Sequence, residues 1–590
     1  MKALQRKLLR DLWNMKGQAL AIMLVVASGV ATFVMSVSTL RSLKETQQTY
    51  YERYRFAQVF AHVKRAPLTL VDRIREIPGV AEVQARIVAE VNLEVEGLSE
   101  PAVGRIISQP ARGSLNQLYL RRGRMIEPGR PNEVLVAETF AAANRLEPGD
   151  TVAAVLNGRW QLLNIVGIAL SPEYVIQIRG GDIFPDDKRF GVFWMDYEQL
   201  AAAFDFEGAF NDVTLSLMRG ASVPEVLIRL DGLTERYGGA GAYDREDQIS
   251  HRYVSDEIRQ LRSMGVITPI IFLSVAAFLL NVVLTRLITT QREEIATLRA
   301  FGYNPREIGW HYIQLMLVIV LTGVVLGTSF GAWLGHGLTQ LYTQFYKFPI
   351  FAHHLEAWVI LVATLMSSAA GLGGILAAVR RAVKAPPAEA MRPETPAVYR
   401  MTVVERLGLQ KFLPQTARMI MRQLERSPVR SLLTCVGIAA AAAILVLGSF
   451  MEDSLDFLMD YQFYTAQRQD LSVAFIEPLS PSAKYDLQHL PGVLKSEPMR
   501  SVPIRLRHEH HTRRTSILGL ERADGLYRLL EQGEQVLLPE SGLLLSAKLA
   551  ELLHVLHRQE AVACAVRVLD AEARRADHPI RYQPDSLRHS

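Results

Sequence analysis

The run His508, Glu509, His510 and His511 is the first place where residue types and spacing suggest chemistry. Imidazole is a common zinc ligand, and two histidines two apart share one face of a strand. A second candidate is the loop from Gly180 to Lys188, which holds Asp182, Asp186 and Asp187. It lacks the alternating oxygen ligands and terminal glutamate of a calcium loop, so a solvated surface loop is the expectation. The histidine run falls where a hairpin turn is expected, and dense charge there faces solvent. Neither Cys435 nor Cys564 stands in a spaced ligand pattern, so redox chemistry is not indicated. The sequence contains no H-E-x-x-H, no G-x-x-x-x-G-K-[ST] and no readable nucleophile, base and oxyanion motif. It therefore reads as a chain with no catalytic site, no metal and no cofactor of its own.

The segment that stands out is Gln291-Arg292-Glu293-Glu294-Ile295-Ala296-Thr297-Leu298-Arg299-Ala300-Phe301-Gly302, followed by Asn304-Pro305-Arg306-Glu307-Ile308. Ile295, Leu298 and Phe301, with Ile308 beyond, predict the apolar face of an amphipathic helix. Gly302 supplies its C-terminal cap, and Pro305 opens a new first turn. Charges of both signs lie on the other face. On periodicity alone this could be a functional surface or a plain solvated connector.

The elements around it are those of a membrane protein. The chain has 590 residues, of which 49% are hydrophobic, and a mean hydropathy of +0.11. Five stretches are long and apolar enough for a hydrocarbon core that takes about 20 helical residues to cross. They are Ala19–Val37, Met264–Leu284, Ile313–Leu334, Trp358–Val379 and Leu432–Phe450. Lys2, Arg6, Lys7, Arg10 and Lys16 precede the first. A cleaved signal peptide is the alternative there, but the apolar run is longer than a typical h-region and no clean A-x-A site follows before Arg41. Arginine and lysine crowd the loops 286–310 and 380–430, which the positive-inside rule places in the cytoplasm. The net charge of +5 is thus membrane orientation, and no pattern of interleaved basic and aromatic residues points to nucleic acid.

In the third span Gly323, Gly327, Gly331 and Gly335 recur every fourth residue, a stripe that lets helices pack closely, within one subunit or across a dimer. Asn281 is the main buried polar candidate of the second span, read as an interhelical hydrogen-bond donor.

Between the first two spans, alternating patterns predict strands at Val83–Val95, Glu133–Val136, Thr151–Leu156 and Trp160–Ile168. Helices are predicted at Pro67–Ile77 and Glu138–Arg145, an α+β outer domain. Leu40–Arg55 and Ser255–Arg262 read as stalk helices continuous with the spans. Displacing the sequence by about 413 positions lays Ile77-Pro78-Gly79-Val80 on Leu490-Pro491-Gly492-Val493 and the first span on the fifth. The repeat fades near Leu553, where an Ala/Arg-rich tail begins. The expectation is a second copy that is truncated or read in a shifted frame from about Val555. A genuine tail is the alternative.

This order of elements, the helix of the form QREEIxxLRAxG directly after the second span, and the closing Ala390-Met391-Arg392-Pro393 resemble the FtsX-like permease family of ABC transporters, the group that includes MacB-type permeases. The resemblance covers most of residues 1–395 and, weakly, extends to about 553. It implies that Arg292, Glu293, Glu294, Leu298, Arg299 and Gly302 dock on a separate ABC ATPase subunit. ATP would be bound by that partner, and the stalks would carry motion to the outer domain. It further implies a multi-pass protein of the bacterial cytoplasmic membrane, working as an exporter or mechanotransmitter, with a periplasmic adaptor protein and a homodimer as further partners. A non-transporting regulator of a cell-wall hydrolase and a non-functional truncated permease are the alternatives.

The expected architecture is an α-helical transmembrane bundle of five spans with extracytoplasmic α+β domains, a tandem repeat whose second copy is incomplete. Its parts are a cytoplasmic amphipathic N-terminus (1–18), span 1 (19–40), the outer core domain with its stalks (41–262) and a three-span module (263–395) that holds the coupling helix 286–310. A linker (396–430), span 5 (431–452), a partial second outer domain (453–554) and an aberrant tail (555–590) follow.

Overall fold

A computed structural model describes residues 3–384 and 428–554 apart from 99, 110–114, 181–184, 350–354, 476–478, 509–510, 522–524, 532 and 539–542, together with 414, 420, 424 and 565–566. The expected tail, most of the linker 396–430 and the centres of both the aspartate loop and the histidine run lie outside the described residues.

Among the described residues, four helices are long and apolar enough to cross a membrane. They are α2 (Lys16–Arg53), α7 (Ile249–Thr290), α9 (Pro305–Phe345) and the part Ala357–Leu376 of α10 (Ala357–Lys384). A short helix α1 (Ala3–Asn14) precedes them, and α8 (Arg292–Ala300) sits between α7 and α9. At 1.5 Å per residue, the 38 residues of α2 and the 42 of α7 reach roughly 57 and 63 Å, about twice a hydrocarbon core. The surplus forms the stalks. Ile22, Val26, Val30 and Val34 of α2 pack with Leu280 and Leu284 of α7 and with Leu315, Ile319 and Val320 of α9 in one apolar cluster. The predicted fifth span falls in a helix, α11 (Pro428–Asp460).

The outer domain contains two sheets. The four-stranded one has the order β11-β1-β10-β2, made of Tyr243–Asp244, Val59–Pro67, Ala209–Leu217 and Val80–Arg86. The seven-stranded one has the order β5-β8-β6-β9-β4-β3-β7, and β8 also pairs with β7. Its strands are β3 (Val88–Glu94), β4 (Ala102–Gln109), β5 (Tyr119–Gly123), β6 (Glu133–Ala137), β7 (Thr151–Leu156), β8 (Arg159–Leu170) and β9 (Phe190–Asp196). The first half of β8 pairs with β7 and the second half with β6, which closes six of the strands on themselves and leaves β5, paired to β8, as an edge.

The single strand predicted over Val83–Val95 is two strands that belong to different sheets. Ile87, fully buried between them, donates its backbone N–H to Ser108 Oγ at 2.7 Å, and Val88 donates to Asn211 Oδ1 at 2.8 Å. These side chains satisfy the donors that would otherwise be orphaned where the chain leaves one ladder for the other. Alternation in the sequence does not register this crossing, because the inward and outward pattern continues through it.

A buried ionic cluster lies beside the crossing. Arg86 donates through Nη1 and Nη2 to Glu173 at 2.5 and 2.7 Å, and through Nε to Asp212. His62 meets Asp212 at 2.5 Å, and Asn116 Nδ2 donates to Glu173 at 3.0 Å. Burial disfavours charge, yet Arg86 and His62 hold the Asp212 carboxyl well below the usual carboxylate range. Gln248, at the start of α7, donates to the Glu173 carbonyl at 2.7 Å, and Ser250 Oγ accepts from Ile176 N at 3.1 Å. Both sheets are thereby tied to the stalk. The stalk cluster of Leu43, Tyr50, Phe56, Val254, Leu261 and Tyr342 continues the connection into the bundle.

The segment after α11 includes an antiparallel hairpin, Met499–His508 with His511–Leu520, in which His508 pairs with His511 beside the turn. Among the described residues, no three His, Cys, Asp or Glu side chains come together as a metal would need.

Candidate coupling site

Helix α8 lies at the end of the bundle remote from the outer domain. Gln291 ends α7 and begins α8 in one residue, a bend with φ −91 and ψ 18 degrees. Nine residues are too few for a helix to be stable alone, so packing and caps must hold it. Ile295 and Ala296 are buried in the bundle cluster, with Leu298 and Tyr303 packed partly against it. At the other end Gly302, at φ +92, takes the left-handed conformation. Its N–H reaches Arg299 O at 3.1 Å while Tyr303 N reaches Leu298 O at 3.1 Å. That pair of bonds is a Schellman cap, which satisfies the last carbonyls of the helix. Two residues later α9 opens with Pro305 in its first turn, and Asn304 N donates to Glu307 Oε2 at 2.9 Å.

Arg292, Leu298 and Arg299 are partly buried, whereas Glu293, Glu294 and Gly302 are exposed. Phe301 departs from the amphipathic reading. It is 79% exposed, because α8 ends at Ala300 and the cap turns the Phe301 side chain off the apolar face. A bare phenylalanine between Ala300 and Gly302 is the most apolar feature of the exposed tip. Full burial of such a ring is worth about 1.5–3 kcal/mol.

Sequence reasoning missed a polar cluster behind the helix. Lys7 and Asp11 of α1 are almost wholly buried, as are His311 and Tyr312 of α9. Lys7 Nζ lies 3.1 Å from Asp11 Oδ2, 3.0 Å from Gln291 Oε1 and 2.6 Å from Glu294 Oε2. Gln291 Nε2 donates to Asp11 Oδ1 at 2.8 Å, and Tyr312 OH donates to Gln291 Oε1 at 3.0 Å. His311 Nε2 lies 3.3 Å from Asp11 Oδ2. Burial pushes the Asp11 carboxyl up, but hydrogen bonds from His311, Gln291 and Lys7 outweigh it and hold the group below its ordinary value. The available signal was an acid and a base four apart on an N-terminal helix, together with a histidine just before an apolar span.

The glycine stripe faces α2. A Cβ at Gly327 would lie 2.6 Å from Ala27 O, one at Gly331 2.7 Å from Ala31 O and one at Gly323 2.9 Å from Val26 Cβ. Gly335 is buried on the same helix. Asn281 Nδ2 donates to the carbonyl of Gly374 in α10.

Long apolar helices with an α+β domain at one end and a capped short helix at the other define a membrane protein with an extracytoplasmic domain. The FtsX-like permease C-terminal model matches residues 266–387, and the MacB-like periplasmic core domain model matches residues 19–233. No curated protein matches the chain. Among solved structures the chain is similar to the periplasmic region of MacB from Actinobacillus actinomycetemcomitans, at 11% identity over 34% of this chain and 92% of that one, with a TM-score of 0.23. It is also similar to the extracellular domain of the noncanonic ABC-type transporter YknZ from Gram-positive bacteria, at 12% identity over 32% of this chain and 98% of that one, with a TM-score of 0.22. The chain belongs to the FtsX-like, MacB-type family of ABC transporter permeases.

Proposed function

We propose that this permease receives mechanical work from a separate ABC ATPase subunit through α8 and delivers it to the outer domain through the stalks of α2 and α7. The observation that carries this reading is the exposed tip at Glu293, Thr297, Phe301 and Gly302, set on a helix whose neighbours run uninterrupted into the outer domain. Arg292, Glu293, Glu294 and Arg299 provide charge for orientation, Leu298 and Gly302 fix the helix in place, and Phe301 provides apolar area. ATP chemistry belongs to the partner. The mechanical output is export of a substrate or work on an extracytoplasmic protein, with a periplasmic adaptor or a second copy of the chain as further members of the complex.

A multi-pass arrangement is supported by the aromatic positions. Trp310 and Trp333 on α9 are both exposed, and the 1.5 Å rise separates them by roughly 35 Å, the spacing expected of two interfacial belts. Lys16 over Trp13 and Arg41 over Trp358 place cations beside exposed or half-exposed rings near the same two levels. We assign α11 to a fifth crossing that begins a second copy of the plan, in the bacterial cytoplasmic membrane.

The test is co-purification of the full chain from native membranes in mild detergent. A nucleotide-hydrolysing subunit should travel with it, and reversing the charges in Arg292→Glu/Glu293→Arg should release that subunit while leaving the permease folded. Retention of the subunit by the variant, or absence of any such subunit from the parent preparation, overturns the reading.

A further inference from the structure

The orientation of α8 cannot come from α8 itself. It is nine residues long and buries only Ile295 and Ala296 outright, so its angle depends on the residue at which it leaves α7. That residue, Gln291, has its side-chain amide gripped from two directions. Its Nε2 donates to Asp11 at 2.8 Å, and its Oε1 accepts from Lys7 and from Tyr312, each at 3.0 Å. Lys7 and Asp11 belong to α1, which lies before the first span and is separated from Gln291 by about 280 residues of chain. Lys7 continues past the hinge to Glu294 on the first turn of α8 at 2.6 Å, and Asp11 continues to His311 of α9 at 3.3 Å.

Burying a lysine and an aspartate is costly unless they are paired and hydrogen-bonded. Simple anchoring of α1 on a membrane surface would leave both in water. Their burial makes sense if they hold other groups in register, and the groups they hold are the hinge of α8, its first turn and the start of α9. We propose that α1 is a positioning strut of the coupling element, with Lys7 and Asp11 as positioning residues that clamp Gln291, so that α1, α8 and the inner end of α9 move as one body. The proposal rests on the reading of α8 as the coupling helix. It adds that the N-terminal helix sets the angle at which that tip is presented.

The clamp is tested within this chain, with no ATPase present. In the full-length protein carrying Cys435→Ser and Cys564→Ser, spin labels at Arg6→Cys and Thr297→Cys, both exposed positions, report the distance between α1 and α8. A second pair at Arg75→Cys and Arg159→Cys reports the outer domain. The parent should give a single narrow distance between α1 and α8. Asp11→Ala and Lys7→Met should lose it, with the outer pair unchanged, and Lys7→Arg should restore it, since a guanidinium keeps the charge and donors. A broad distance in the parent, or a narrow one retained in both Asp11→Ala and Lys7→Met, overturns the proposal. If removing a buried charge unfolds the protein, Gln291→Leu leaves both charges paired with each other and gives the same reading: a narrow distance retained there overturns it. Failure of the coupling reading would show as a missing ATPase in co-purification, whereas failure of the clamp would show as an unchanged distance in the isolated permease.

Discussion

The two ends of this molecule join distant segments by the same means, buried charge, with different completeness. At the outer end Arg86, Asp212 and Glu173 are all at most 5% exposed, and Arg86 engages both carboxylates, one of them through two nitrogens. At the inner end Lys7 and Asp11 are buried, but Glu294 is 51% exposed and His311 Nδ1 has no hydrogen-bond partner. The outer cluster is a weld that makes two sheets and a stalk one body. Both clusters have a wet edge, because His62 at the outer end is 41% exposed, and the inner one also has a spare nitrogen at His311 Nδ1.

The largest expected effect is at the weld. Arg86→Met leaves two carboxylates buried without their cation, and should cost the outer domain about 3–5 kcal/mol. Urea unfolding of the full chain, followed by the fluorescence of buried Trp194, measures this, and a loss below about 1 kcal/mol would mean that the two sheets do not depend on the cluster. Next comes the bundle between the two ends. Gly327→Leu would push a side chain into Ala27 and Val30, whereas Gly337→Leu has open space within 4 Å. The first should lose about 1–3 kcal/mol of thermal stability in detergent and the second almost none. Equal effects would show that the stripe is not a close-packing surface.

Acid sharpens the contrast. Asp212 has its native carboxyl held below the ordinary value, so the stability it contributes is present above the usual carboxylate range and is lost as pH falls through the native value. Stability of the outer domain should therefore decline on acidification, and Asp212→Asn should flatten that decline. A slope that is unchanged in the variant would remove Asp212 as its source. The smallest effect on stability is expected at the tip. Phe301→Ala should leave unfolding within about 0.5 kcal/mol of the parent, yet weaken binding of the ATPase subunit. A large loss of stability would show that the ring is packed within the permease.

Much of this architecture was legible in the sequence, because a bilayer imposes length and apolarity so strictly that spans announce themselves. The cap at Gly302 and the new turn at Pro305 follow from local rules of backbone chemistry, and the bond made by Asn281 from the cost of an unpaired amide in an apolar span. The missing features are non-local. Ile87 lies between two sheets because of Ser108 and Asn211, which come later in the chain. Lys7 reads as one more basic residue of an inner terminus until the fold carries Gln291 and Asp11 to it. Phe301 fits a helical stripe by spacing, and only the point at which the helix stops determines that its ring faces outward.

The central claim is that α8 is where the motor touches the permease. A photo-reactive amino acid at Thr297, on the exposed side of α8, should cross-link in native membranes to a nucleotide-hydrolysing subunit, and the yield should change between nucleotide-free and ATP-bound conditions. Cross-links only to lipid or to the permease itself, with the subunit present and active in the same membranes, would contradict the account.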